Sequence, residues 1–131
     1  MVKIQKEFGL KFLEALRSGK YEQTMMMLVV VENGVSKYCA LGLFLHILGV
    51  SDEEIGIGCA PGNIDVCKAA IQSVNLCDGG EEEKIKTFGK FTHSLMKTND
   101  SAWNKSNGSI NKPENTFLDI ADYFEKNCEL I

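Results

Sequence analysis

The sequence predicts a mostly helical α+β fold in which four to five helices pack around one β-hairpin. Two predicted strands, an apolar one at about 25–31 and a more mixed one at about 35–40, flank Glu32-Asn33-Gly34. Asn-Gly suits a type I′ hairpin turn, because both central residues of that turn need positive φ. Elsewhere, apolar residues recur at helical spacing through several segments.

Size and composition indicate a single globular domain over residues 1–131. The chain is 44% hydrophobic and 24% charged, which is typical of globular proteins. A net charge of −4 disfavours nonspecific nucleic-acid binding, which needs a positive surface. No apolar stretch reaches the ~18 residues of a membrane helix, and Met1–Glu7 lacks the apolar region of a signal peptide. We therefore expect a cytoplasmic protein without membrane association.

The first helices are predicted from periodicity and from the residues that end them. One helix covers about 3–18 and ends before Gly19, and a short buried helix covers about 41–48 and ends before Gly49. Ser51-Asp52-Glu53-Glu54 fits a capping box that opens a further short helix or turn.

Two more helices and a long loop are predicted before the final helix. One helix starts after Asn63, and the next opens at Glu81. Residues 98–115 are polar and form the loop. Thr116 caps the last helix. The predicted buried stripe of that helix is Phe117, Ile120, Ala121 and Phe124.

The first hairpin strand, Met25–Val31, is apolar at every position. A half-buried strand alternates apolar and polar residues, so this strand needs cover on both faces. Helices, a further strand or a partner chain would supply that cover. We predict a homodimer through Met25–Val31.

The five cysteines predict neither a disulfide framework nor a structural zinc site, because their number is odd and no pair is spaced CxxC. His46 lies within the apolar run 43–48 and is expected to be a core or boundary histidine. A metal site of Cys39 and His46 alone would be incomplete. We expect no metal and no cofactor.

Cys39 lies between a predicted strand and an apolar helix, where a thiol can become a nucleophile. His93 and then Asn99 or Asp100 follow it, in the order that papain-like folds use. The alternative is a small core residue. Helical spacing favours the core interpretation, because it places His93 on a solvated lysine face.

A basic stripe consists of Lys86, Lys90, His93 and Lys97 on one face of the fourth predicted helix. It could hold an anion, a nucleotide or an acidic partner, or it could simply be the solvated face of the helix. Trp103, in the polar loop, could stack on a ligand or pin the loop to the body of the protein.

Three segments together resemble a known group of proteins: Ala15–Gln23 (ALRSGKYEQ), Tyr38–Gly42 (YCALG) and Phe117–Glu125 (FLDIADYFE). They are similar to segments of small uncharacterised proteins of tailed bacteriophages and prophages, in which Asn99-Asp100 would match an Asn-Asp pair. Ala40 stands where that pattern has a second cysteine. The resemblance implies a phage or prophage origin and the host cytoplasm, but no established activity.

Two functions follow as hypotheses. The first is a non-enzymatic accessory protein that binds a host protein or a small anionic ligand. Its binding residues would be Lys86, Lys90, His93, Lys97 and Trp103. The alternative is a small cysteine-dependent hydrolase or transferase that uses Cys39 and His93.

Overall fold

A computed structural model describes residues 2–24, 27–57, 82–83, 86–87, 90–91, 93–94 and 116–131. Within these ranges the protein has four helices with defined bounds, further helical residues at 82–83, 86–87, 90–91 and 93–94, and two small sheets, which agrees with a mostly helical α+β fold. The predicted helix after Asn63 and the predicted loop 98–115 lie outside the described residues.

The elements follow one another in the order β1, α1, β2, β3, β4, α2, α3, α4, β5. The helices are α1 (Lys6–Arg17), α2 (Ala40–Ile47), α3 (Asp52–Ile57) and α4 (Phe117–Asn127). The strands are β1 (Val2–Ile4), β2 (Glu22–Gln23), β3 (Val29–Glu32), β4 (Val35–Tyr38) and β5 (Cys128–Leu130).

The predicted hairpin is present, with shorter strands than expected. β3 pairs antiparallel with β4, and the turn between them has φ values of 52° at Asn33 and 77° at Gly34. β2 pairs parallel with β4, so β4 is the central strand and β3 lies at an edge. The strand begins at Val29 and not at Met25, and residues 25–26 lie outside the described residues.

Within the described residues of one chain, cover over the first predicted strand is incomplete. Val29 is 8% exposed, whereas Val31 is 64% and Met27 is 49% exposed. Val29 pairs with the buried Tyr38, and Val31 pairs with Ser36, next to the turn. The edge strand is therefore buried at its Val29 end and exposed at the end next to the turn.

A second sheet, which the sequence did not predict, joins residues from the two ends of the sequence. β1 and β5 pair parallel, with Val2 opposite Cys128 and Ile4 opposite Leu130. The predicted helix over 3–18 is therefore wrong in its first turn, where the backbone is a strand up to Ile4. Long-range pairing and the complete burial of Ile4 override the helical periodicity there.

Four phenylalanines hold the helices together. Phe12 of α1 makes edge-to-face contacts with Phe44 of α2 and Phe124 of α4, at centroid distances of 5.1 and 5.0 Å. Phe91, a helical residue, completes the ring with contacts of 5.3 Å to Phe44 and 6.0 Å to Phe124. Such pairs add to the free energy of area burial.

The predicted N-terminal caps of α3 and α4 are present. Thr116 and Asp119 form a complete capping box on α4, and Glu54 donates its backbone N–H to the Ser51 hydroxyl at the start of α3. The stripe predicted for the last helix is buried at all four positions. None of the helices in the described part of the chain is long and apolar enough to cross a membrane.

Candidate functional site

The main polar cluster of the described residues centres on the Asp52 carboxylate at the start of α3. Tyr38 donates its hydroxyl to Asp52 at 2.9 Å from Oδ1 and 2.8 Å from Oδ2. Ser36 donates to Oδ2 at 2.9 Å. Nδ1 of His46 lies 3.2 Å from Oδ1. We call these four residues the Asp52 network; it joins the central strand β4 to α2 and α3.

The network determines which imidazole nitrogen of His46 carries a proton. An ionised carboxylate only accepts hydrogen bonds, and the single proton of the Tyr38 hydroxyl is already directed at Asp52. The two groups near His46 Nδ1, at 3.2 Å from Asp52 and 3.4 Å from Tyr38, therefore both act as acceptors. A proton on Nδ1 satisfies them, which leaves Nε2 as the other ring nitrogen of neutral His46.

Opposing effects act on the pKa values within the network. Burial alone would raise the pKa of the Asp52 carboxyl, but hydrogen bonds from Tyr38 and Ser36 and the charge of a protonated His46 hold it below its usual value. Burial and the hydrogen bond to Asp52 raise the pKa of Tyr38 to about 12. The Asp52 carboxylate is thus the anionic partner of the network, and Tyr38 is a neutral donor.

An aromatic cluster covers the imidazole. The ring of Tyr21 lies 5.6 Å from His46 and 5.9 Å from Tyr38, both edge to face. The rings of Tyr38 and His46 lie 4.9 Å apart and are tilted by 40°. Ring contacts and the Asp52 carboxylate together fix the orientation of His46.

An open cleft of about 280 Å³ lies beside His46, between α1 and the end of α2. We call it the α1–α2 cleft. It is lined by Lys11, Glu14, Ala15, Ser18, Lys20, Tyr21, His46 and Ile47. Neither Asp52 nor Tyr38 is part of this lining. The Nδ1 edge of the imidazole faces those two residues, whereas His46 itself is part of the cleft lining.

Local structure explains how the cleft residues come together. Lys11, Glu14, Ala15 and Ser18 are three or four residues apart, so they share one side of α1. Beyond the helix, Ser18 donates its hydroxyl to the Ala15 carbonyl at 2.9 Å. The backbone N–H of Lys20 donates to the same hydroxyl at 3.2 Å. This turn returns Lys20 and Tyr21 towards His46.

The start of α2 positions the other wall of the cleft. The thiol of Cys39 accepts a hydrogen bond from the backbone N–H of Gly42, and the backbone N–H of Cys39 donates to the Leu28 carbonyl at 3.2 Å. A Cβ atom at Gly42 would overlap that carbonyl. The helix therefore packs directly against the backbone that precedes β3.

Cys39 and His93, the residues of the cysteine-dependent alternative, differ sharply in exposure. Cys39 is 3% exposed and caps α2, which agrees with its interpretation as a core residue. His93 is exposed on a helical segment. The thiol hydrogen bond to Gly42 gives Cys39 a structural role at the helix N-terminus.

The described part of the basic stripe is solvent-exposed. Lys86, Lys90 and His93 are all helical and exposed, and none of them lines the α1–α2 cleft. Lys97 and Trp103, the other two predicted binding residues, lie outside the described residues. Within the described ranges, no group of three or more His, Cys, Asp or Glu side chains is arranged to hold a metal ion.

Sequence patterns do not assign Tyr21, Tyr38 or Asp52 to a site, and they predict that His46 is a core or boundary residue. The boundary position is confirmed by the intermediate burial of His46. One signal could have found the pair: Ser51-Asp52 opens a helix only four residues after α2 ends, and so short a connection places Asp52 near His46.

Comparison with family models, with curated proteins and with solved structures finds no match for this chain.

Proposed function

We propose that this protein is a non-enzymatic binding protein whose α1–α2 cleft takes a small anionic ligand. The observation that carries the proposal is the meeting of two lysines and an oriented imidazole around one open cavity. A phage or prophage accessory role in the host cytoplasm is part of the same proposal and rests on the segment resemblance.

The charges of the cleft support an anion. Lys11 and Lys20 contribute two ammonium groups, and Glu14 contributes one carboxylate. Lys11 also lies 3.5 Å from Glu7, in an exposed pair of the kind that contributes little stability and is readily broken. Lys20 makes no ion pair with any residue in the described ranges. Both ammonium groups are therefore available to a ligand.

The remaining lining groups suit a small polar ligand. Tyr21 offers an aromatic surface and a hydroxyl, and Ala15 and Ile47 offer apolar contacts. A cavity of about 280 Å³ lies near the lower end of the usual range for ligand pockets. A host protein, the other predicted partner, would need a larger interface than this cleft provides.

The test is a titration of the ¹⁵N-labelled full chain with inorganic phosphate, sulfate and citrate, followed by NMR. We expect shifts at Lys11, Lys20, Tyr21 and His46. Lys20→Gln should weaken binding about fivefold, because it removes one nearby charge at a solvent-exposed site. Lys90→Gln is the matched control: it makes the same charge change on the basic stripe and should leave affinity unchanged.

Two results would contradict the proposal. One is the absence of any shift in the cleft at millimolar concentrations of all three anions. The other is loss of binding in Lys90→Gln with none in Lys20→Gln, which would place the anion on the basic stripe of Lys86, Lys90, His93 and Lys97 instead.

A further inference from the structure

We infer that anion binding in the α1–α2 cleft is coupled to the uptake of one proton by Nε2 of His46. The inference rests on the proposed function and deepens it, because it assigns the cleft a pH-dependent affinity. It follows from the way that the donors of the Asp52 network are arranged.

Every hydrogen-bond donor of the network points at one carboxylate. The hydroxyls of Ser36 and Tyr38 reach Asp52 at 2.8–2.9 Å, and His46 Nδ1 reaches it at 3.2 Å. A neutral imidazole in this setting carries its proton on Nδ1. Its Nε2 is then an acceptor with a lone pair. Asp52 and Tyr38, which face Nδ1, do not line the cleft, and on this ground we assign Nε2 to the cleft side of the ring.

The lone pair on Nε2 repels an anion, because the oxygens of the anion are themselves hydrogen-bond acceptors. When a proton from solvent binds Nε2, the ring becomes a cation and Nε2 becomes a donor, while the other proton stays on Nδ1 and continues to donate to the Asp52 carboxylate. No other bond forms or breaks. The anion therefore favours the protonated imidazole, and protonation favours the anion to the same degree, because linked binding equilibria are reciprocal.

The charged groups near His46 are of both signs. The acidic groups are Asp52 of α3, at 3.2 Å from Nδ1, and Glu14 of α1 in the cleft lining, and the basic groups are Lys11 of α1 and Lys20 in the same lining. Tyr38 of β4 and Tyr21 pack on the ring as neutral side chains.

The test measures sulfate binding to the full chain by calorimetry between pH 5 and 8, where histidine side chains titrate and the charge of sulfate stays constant. We expect the affinity to fall with rising pH, approaching about tenfold per unit on the alkaline side if one proton is taken up. Repeating the titration in two buffers with different ionisation enthalpies should show up to one proton bound per sulfate.

The second histidine of the chain provides a matched control. His46→Gln should remove both the pH dependence and the proton uptake, whereas His93→Gln should retain them. NMR of the imidazole nitrogens in the wild-type protein gives an independent measurement, which does not depend on the folding of a variant. It should show the Nδ1–H tautomer at neutral pH without ligand.

Three outcomes would overturn the inference. If sulfate binds and Lys20→Gln weakens it, but without pH dependence or proton uptake, the inference fails and the proposed function stands. An Nε2–H tautomer in the free protein would remove the structural basis of the coupling. If sulfate does not bind at any pH, the inference fails together with the proposal that the cleft takes such an anion.

Discussion

Asp52 is the residue at which three elements meet, since it accepts hydrogen bonds from Ser36 and Tyr38 of β4 and faces His46 of α2. A carboxylate that is only partly exposed needs such donors, because burial without them opposes its charge. The same carboxylate orients the imidazole that borders the α1–α2 cleft. Stability and the proposed binding function therefore depend on one side chain.

Replacing Asp52 with Asn should lower the free energy of unfolding by about 1–2 kcal/mol at pH 7, because the variant loses hydrogen bonds to a charged acceptor. The folded protein holds the pKa of Asp52 below its unfolded value. The stability that it contributes is therefore present above the unfolded pKa of about 4 and is lost as pH falls through the folded pKa.

Urea unfolding at several pH values measures this effect. The wild-type stability should fall more steeply below about pH 4 than that of Asp52→Asn. Asp122→Asn is a suitable control, since Asp122 is 78% exposed in its pair with Arg17 and such surface pairs contribute little. Equal acid dependence in the wild type and in Asp52→Asn would show that Asp52 is not preferentially ionised by folding.

At the scale of elements, the position of α2 depends on a single small residue, Gly42. It starts at the Cys39 cap, contributes Leu43 and Phe44 to the core, and ends at the cleft with His46. Gly42 faces the Leu28 carbonyl with no room for a Cβ atom. The close approach of helix and backbone therefore needs glycine at this position.

Gly42→Ala should destabilise the protein by about 2 kcal/mol or more, because the new methyl group meets backbone, which can move only if α2 moves. Gly9→Ala is the matched control, since a Cβ atom at Gly9 meets only the end of the Leu130 side chain. That side chain can change its rotamer, and alanine gains helix propensity, so we expect a cost below about 1 kcal/mol. Chemical denaturation measures both, and a smaller loss for Gly42→Ala than for Gly9→Ala would contradict the packing argument.

At the scale of the whole molecule, the exposed turn end of the hairpin bears on association. β3 pairs only with β4 within the described residues, and Val31 on this edge strand is 64% exposed. An edge strand presents unpaired backbone groups that a second antiparallel copy can match. The homodimer through Met25–Val31 stays a prediction. The exposed side chains of Met27 and Val31 are apolar groups that such a dimer would bury.

Light scattering after size-exclusion chromatography should therefore give the mass of a dimer for the wild type. Val31→Lys should shift the protein to the monomer, because a charge on an edge strand opposes strand pairing. Leu118→Lys, at a 59% exposed position of α4, should leave the dimer intact. A wild-type monomer at all concentrations would show that the prediction is wrong.

The sequence by itself determined the features that depend on neighbouring residues. The Asn33-Gly34 turn, the Thr116–Asp119 capping box and the buried stripe of α4 all follow local rules of backbone φ, hydrogen bonding or helical period. Likewise, the helix before Gly19 and the helix before Gly49 ended where the pattern predicted. These features need only a few residues at fixed spacing, so a single sequence is enough to find them.

The tertiary structure alone decided the features that depend on distant residues. The parallel pairing of β1 with β5 and the alignment of Lys11 and Lys20 with His46 arise from contacts that no local pattern encodes. The exposure of Val31 also depends on where the helices end over the sheet and not on the residue itself. An apolar run indicates that burial of its side chains is favourable, but tertiary packing decides which of those side chains are buried.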